Sequence, residues 1–194
     1  ICAQNNWPAD SLHYSDNVRL FMRAHPELAG TGGNVTLNLF GGEIVNAFGG
    51  SDVRGRIQGK ITVNVIDQGG ICGLNLTNLY GGGRTAAYQP DLVNGQVINS
   101  PEVNVIHGTV KGNLYGGGLG TGAVVTANPV VNLGYYDGYT FTPDSVQLAH
   151  GFVSYNYNSA VAHVGNGVGG NVYGGGNNAN VVGNIALNIK KSNT

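Results

Sequence analysis

Asp67, His107 and Lys111 are the residues of this chain whose types and spacing come closest to acid–base chemistry. Asp67 lies three residues after Asn64, and His107 lies three residues after Asn104. The two Asn residues head equivalent stretches, so alignment puts Asp67 and His107 at matching positions in adjacent units, with Lys111 nearby. A β-helix enzyme acting on polysaccharides needs paired carboxylates, a metal site of clustered Asp, or a Lys or Arg base on one sheet face. The ten acidic residues are otherwise scattered singly. The five His residues (13, 25, 107, 150 and 163) lack metal-ligand spacing. The glycine triplets are not phosphate loops, because no Lys-Ser/Thr follows them. The reading is therefore non-catalytic: no catalytic residue, no metal and no cofactor are expected, and Asp67, His107 and Lys111 read as polar residues at a solvated corner.

Aromatic side chains offer the better chemistry for binding. Residues 134–165 hold Tyr135, Tyr136, Tyr139, Phe141, Phe152, Tyr155 and Tyr157. Tyr rings stack on sugars and anchor protein interfaces. Tyr135, Tyr136, Tyr139, Tyr155 and Tyr157 are the candidate binding residues, against the alternative that they pack on the flank of the fold. Val153-Ser154-Tyr155-Asn156-Tyr157 alternates and predicts a hairpin arm.

These residues must be positioned by a repeat. One phrase is Asn, apolar, aromatic, then glycines. It occurs at Asn46-Ala47-Phe48-Gly49-Gly50, Asn78-Leu79-Tyr80-Gly81-Gly82-Gly83, Asn113-Leu114-Tyr115-Gly116-Gly117-Gly118 and Asn171-Val172-Tyr173-Gly174-Gly175-Gly176. A second phrase is apolar-Asn-apolar, centred on Asn38, Asn64, Asn104, Asn132 and Asn188 at intervals of 26, 40, 28 and 56 residues. A fixed phase of this kind marks a repeat architecture. Aligned on these Asn residues, Pro101 falls on Pro129, Val97 on Val125 and Ile57 on Val181. The long intervals then carry insertions at 84–96 and 134–165.

Each unit reads as three short strands with glycine corners. The predicted fold is all-β: a right-handed parallel β-helix (β-solenoid) of four to five turns, with three short strands per turn, an N-terminal cap and one long insertion. Residues 1–32 form the cap segment, with a short helix from Asn17 to Ala24, and residues 33–194 form the repeat domain. Ile61, Val63 and Val65 point into a dry core, while Thr62, Asn64 and Ile66 point away. Positive φ at the corners accounts for the glycines. Phe48, Tyr80, Tyr115 and Tyr173 should stack as an aromatic ladder, and Asn46, Asn78, Asn113 and Asn171 as an amide ladder. Both face outward if Ala47, Leu79, Leu114 and Val172 point in; the opposite phase would bury the Asn residues.

Composition bounds the rest. Gly accounts for 34 of 194 residues and charged residues for 10%, so the chain is neither collagen-like nor rich enough in charge to be disordered. A net charge of −1 with scattered Lys and Arg argues against a nucleic-acid partner. No apolar run reaches the roughly 20 residues of a membrane span. Cys2 and Cys72 read as two thiols or one disulfide, with the disulfide preferred. Ile1-Cys2-Ala3-Gln4 reads equally as the tail of a processed secretion signal or as a fragment boundary.

The stretches Gly170–Gly176 and Val181–Ile189 resemble repeats of large secreted or cell-surface proteins of Bacteroidota bacteria. The resemblance covers about residues 33–133 and 166–190, on Gly-rich phrases of moderate specificity. It implies a β-helical, adhesin-like protein at the cell surface, outside the outer membrane, and carries over no catalytic residue. Asp10-Ser11-Leu12 and Asp144-Ser145-Val146 look like the O-glycosylation motif of that phylum, with Ser11 and Ser145 as acceptors; so short a motif recurs often by chance. The expected function is a structural or adhesive segment, with a carbohydrate-binding module as the alternative and a polysaccharide-degrading enzyme behind it. The expected partners are glycans or a surface protein, together with self-association through an open C-terminal turn.

Overall fold

In the computed structural model the described residues are 33–67, 73–133, 139–141, 155–157 and 167–189. The chain divides into two compact units, Ile1–Gly33 and Asn34–Thr194. The predicted helix from Asn17 to Ala24 and the rest of the cap segment lie outside the described residues.

Alternation of β-branched and polar residues sets the strands. In chain order they are β1 (Val35–Leu39), β2 (Gly42–Phe48), β3 (Ile61–Ile66) and β4 (Leu74–Tyr80). Then come β5 (Asn99–His107), β6 (Thr109–Val110), β7 (Leu114–Tyr115), β8 (Asn128–Leu133) and β9 (Tyr139–Phe141). The last are β10 (Tyr155–Tyr157), β11 (Gly167–Val168), β12 (Val172–Tyr173) and β13 (Ala186–Ile189). Strands β1, β3, β5, β8 and β13 form a five-stranded parallel sheet in that order. A six-stranded parallel sheet holds β2, β4, β6, β7, β11 and β12. Strand β4 is continuous. Beside it the next position is split into β6 and β7, and the one after that into β11 and β12. Among the described residues the chain alternates between the sheets, beginning and ending in the first, so the first sheet has five strand positions, or levels, and the second has four: β2, β4, β6 with β7, and β11 with β12.

Register follows the repeated phrases. Asn38, Asn64, Asn104, Asn132 and Asn188 are successive partners across the first sheet. Asn46 pairs with Asn78, and Phe48, Tyr80, Tyr115 and Tyr173 are successive partners across the second. Between the sheets Ile61, Val63, Val65, Val103, Val105 and Val131 meet Ala47, Leu76, Leu79, Val110 and Leu114 in one apolar cluster. Full burial of each such aliphatic side chain contributes about 1.5–3 kcal/mol. Because neighbouring levels provide that burial, a single level has little stability alone.

The predicted β-helix with three strands per turn is not what forms. Two parallel sheets are stacked, and neither closes on itself or curls. The third strand of each unit is reduced to isolated parallel bridges, Tyr88 to Val125 and Val125 to Val181. The stretches differ from level to level, Ala86-Ala87-Tyr88-Gln89-Pro90 beside Ala123-Val124-Val125-Thr126-Ala127 and Ala179-Asn180-Val181-Val182-Gly183, and only the central residue of each keeps its partner. Separately, β9 and β10 pair antiparallel, with Tyr157 opposite Tyr139.

The glycine triplets also have a different cause from the one expected. Gly81, Gly82, Gly116 and Gly117 are not among the residues with positive φ. They are small because levels approach closely. A Cβ on Gly49 would lie 2.7 Å from Val63 Cγ2 and collide with the carbonyl oxygen of Gly81, and one on Gly116 would collide with the carbonyl oxygen of Gly174. Backbone bonds continue the ladder through these glycines, from Gly81 N to Tyr115 O at 2.9 Å and from Gly116 N to Tyr173 O at 2.8 Å.

One further expectation is corrected, and another gains a detail. Asn64 and Ile66 face away from the main core, yet Asn64 is 3% exposed and Ile66 is fully buried. At Val65/Ile66 the pairing shifts register, so Ile66 sits opposite His107 and Ile106 is an extra residue, also buried. The alignment of Val97 with Val125 fails as well. Tyr88 takes that place, and Val97 is exposed.

Candidate functional surface

The aromatic phrase builds a stack of four rings. Phe48 and Tyr80 have centroids 4.7 Å apart, Tyr80 and Tyr115 5.0 Å, and Tyr115 and Tyr173 4.8 Å, with interplanar angles of 10° or less. This spacing is the distance between neighbouring strands, so the sheet repeat sets it. Ala47, Leu79 and Leu114 are buried in the core and Val172 packs against it, which places the rings on the opposite face. Tyr80 and Tyr115 are themselves buried, and the terminal Tyr173 is 44% exposed. Burial, with smaller contributions from Tyr80 and Tyr173, raises the Tyr115 phenol above its usual range.

Asn46, Asn78, Asn113 and Asn171 line the same face. Asn78 Nδ2 donates to Asn46 Oδ1 at 3.0 Å. The backbone N–H of Asn113 donates to Asn78 Oδ1 at 3.0 Å, and that of Asn171 to Asn113 Oδ1 at 2.9 Å. The first sheet carries a second amide ladder. Nδ2 of Asn64, Asn104, Asn132 and Asn188 each donates to Oδ1 of the Asn one level earlier, at 2.8, 3.0, 2.7 and 2.9 Å. Every bond in both ladders runs in the same sense, from the later level to the earlier.

Asp67 and His107 do come together, through backbone groups. Asp67 N donates to His107 O at 2.8 Å, and His107 Nδ1 meets Asp67 O. Asp67 Oδ1 accepts from Leu74 N at 3.0 Å. The carboxylate thus holds a main-chain N–H at the start of β4. Lys111 is exposed and bonds through its backbone N–H to Leu76 O at 2.8 Å. Among the described residues no three His, Cys, Asp or Glu side chains converge on a metal-sized site.

Of the candidate binding tyrosines, Tyr139 lies in β9 and Tyr155 and Tyr157 lie in β10, where the backbones pair. Tyr135, Tyr136, Cys2, Cys72, Ser11 and Ser145 lie outside the described residues. A pocket of about 270 Å³ opens at the last level between Thr121, Gly176, Asn178, Ala179 and Asn180. Its lining has no titratable side chain, so it offers hydrogen bonds and no acid–base group.

Reading the 84–96 stretch as a plain insertion missed a buried polar site. Tyr88 is 2% exposed; its OH donates to Gly59 O at 2.8 Å and lies 2.5 Å from Ser100 Oγ, which accepts from Ile61 N at 2.9 Å. Burial raises the Tyr88 phenol, opposed in part by the Ser100 hydrogen bond. A signal was present: Ala86-x-Tyr88, Ala123-x-Val125 and Ala179-x-Val181 each follow a glycine triplet within a few residues. At the surface, Arg84 pairs with Asp52 and its hydrogen bond lowers the Asp52 carboxyl, while Arg56 reaches Asp91 at 2.6 Å.

Among the described residues no helix is long and apolar enough to cross a membrane. No family model, curated protein or solved structure matches this chain.

Proposed function

We propose that this chain is a structural and adhesive segment of a bacterial protein that is secreted or held outside the outer membrane, with no catalytic role. The two unidirectional amide ladders carry this reading. They commit the repeated polar side chains to one another, level upon level, where an enzyme would commit them to substrate. The Asp67 N–H and the His107 ring serve the same end, each bonding a main-chain oxygen on the neighbouring level. The resemblance to Bacteroidota surface repeats supports the location.

The function of such a segment is to hold and present a contact surface. Residues 134–165 interrupt the repeat and supply that surface, with a glycan or a surface protein as partner. A second contact is self-association through the last level. A glycan array probed with the 194-residue chain and with a variant carrying Ala at Tyr135, Tyr136, Tyr139, Tyr155 and Tyr157 separates scaffold from sugar binder. Binding lost in the variant makes the chain a carbohydrate-binding module. New reducing ends or unsaturated products from acidic polysaccharides would overturn the non-catalytic reading.

A further inference from the structure

The first sheet has one strand position more than the second, and the difference leaves a ledge. Strand β13 is the fifth position of the first sheet, and among the described residues no strand lies beyond β11 and β12 in the second. The inward side chains of β13 are therefore uncovered. Leu187 pairs with Val131 and Ile189 with Leu133, both buried in the core, yet Leu187 is 41% exposed and Ile189 69%. Ile185, two residues before Leu187, is 50% exposed.

The other wall of the ledge is the edge of β12, and the levels before it define what fits there. Leu79 N donates to Asn113 O and Leu114 N to Asn171 O, both at 3.0 Å. The N–H groups of Gly49, Gly81 and Gly116 donate to the carbonyls of Tyr80, Tyr115 and Tyr173, and those of Gly50, Gly82 and Gly117 to the carbonyls of Gly82, Gly117 and Gly175. By that spacing the N–H groups of Val172, Gly174 and Gly175 point at the next position. Tyr173 ends the ring stack there, 44% exposed. Asn171 Oδ1 faces the place of a backbone N–H like those that Asn78 Oδ1 and Asn113 Oδ1 accept. Room for a backbone is present as well. A Cβ on Gly50, Gly82 or Gly117 would lie 2.6, 2.9 or 2.8 Å from a glycine nitrogen one level on, whereas at Gly175 the nearest atom is Ile185 Cδ1 at 3.7 Å. Gly175 thus keeps a clearance that no described residue uses. The two walls, residues 171–176 and 185–189, carry no charged side chain.

We infer that this ledge binds one extended strand of another polypeptide, added parallel to β12, whose sequence reads Asn, aliphatic, aromatic, Gly, Gly and carries no charge. Main-chain bonds from Val172, Gly174 and Gly175 hold it, the mode in which a partner segment extends a sheet edge. Its aliphatic residue turns in toward Leu187 and Ile189, its ring stacks on Tyr173, and its Asn N–H bonds Asn171 Oδ1. A single strand fits and a whole copy does not, because a second copy with its β2 beside β12 would bring its β1 onto β13. The inference rests on the last level being a contact surface, as proposed above, and names what that surface takes.

The test adds the peptide Gly167–Gly176 of this chain's own sequence to the 194-residue chain, with amide hydrogen exchange read at Val172, Gly174 and Gly175. Exchange at these amides should slow about fivefold or more with about 5 mM peptide, as a millimolar Kd requires. Gly175→Ala is the paired variant. Its Cβ meets only the end of Ile185 in the free chain, so it should melt like wild type, but it blocks the incoming backbone and should cut the slowing to less than about twofold. A peptide with serine in place of its tyrosine should also bind more weakly. No slowing with the unaltered peptide overturns the strand site. Equal slowing in Gly175→Ala, or with the serine peptide, overturns the register. Slowing that follows the chain's own concentration and ignores the peptide gives the ledge to a second copy, which overturns the strand site and leaves self-association standing.

Discussion

Asn104 accepts one ladder bond and donates another while only 5% exposed. Replacing it with Ala strands Asn64 Oδ1 and Asn132 Nδ2, each at a cost of about 1–3 kcal/mol where buried. Urea unfolding should show that loss. Asn104→Asp is more informative. A protonated carboxyl can still donate to Asn64 Oδ1, whereas a carboxylate faces that oxygen with its own charge. The folded pKa is therefore raised, stability is complete below the unfolded value near 3.9, and it is lost as pH rises through the folded value. Thermal melts from pH 3 to pH 7 should show it. Tyr88 and Tyr115 set an alkaline limit by the same logic. Their phenols are raised by burial, so below about pH 10 both states keep the proton. Above that the unfolded chain ionises first, and stability falls. Melts between pH 8 and pH 11 should show this decline, and Tyr115→Phe should make it shallower. Tyr88→Phe should cost about 1–3 kcal/mol by leaving the Gly59 carbonyl without its donor.

Within the elements, the decisive contacts are between backbones. Strands β4 and β7 run into glycines whose Cα atoms face the carbonyls of the next level, so Gly116→Ala must push levels apart. Overpacking of this kind costs about 1–3 kcal/mol or more. Gly73, just before β4, is the matched control. A Cβ there finds its nearest neighbour 3.9 Å away, and φ is not positive. Gly73→Ala should be neutral or stabilising by up to about 1 kcal/mol. Equal losses in chemical denaturation for the two variants would show that backbone flexibility, not close approach, governs the triplets.

At the scale of the molecule, burial is shared along the stack and fades toward its ends. Strand β3 is almost wholly buried, while β13 is exposed at every residue. Amide hydrogen exchange should therefore be slowest in β3, β4 and β5 and fastest in β13. If the last level docks another copy, protection in β13 should rise with protein concentration.

The repeated phrases determined the strand register in advance. Side-chain period and identical Asn and aromatic positions leave few other pairings that bury Ile61, Val63 and Val65 together. They also determined which residues stack, since in-register parallel strands bring like onto like. How many sides the stack has was decided only in three dimensions. The stretches around Tyr88, Val125 and Val181 read as strands by position, yet in the structure each pairs with its neighbours through a single bridge. Tertiary structure alone also placed Tyr88 in the core beside Ser100. Tyr88 lies within an apparent interruption of the repeat and Ser100 in β5, and their partnership depends on how the two stretches meet. For Asp67 and His107, sequence spacing predicted that they meet, and only the tertiary structure showed the contact to run through main-chain groups, Asp67 N–H to His107 O and His107 Nδ1 to Asp67 O.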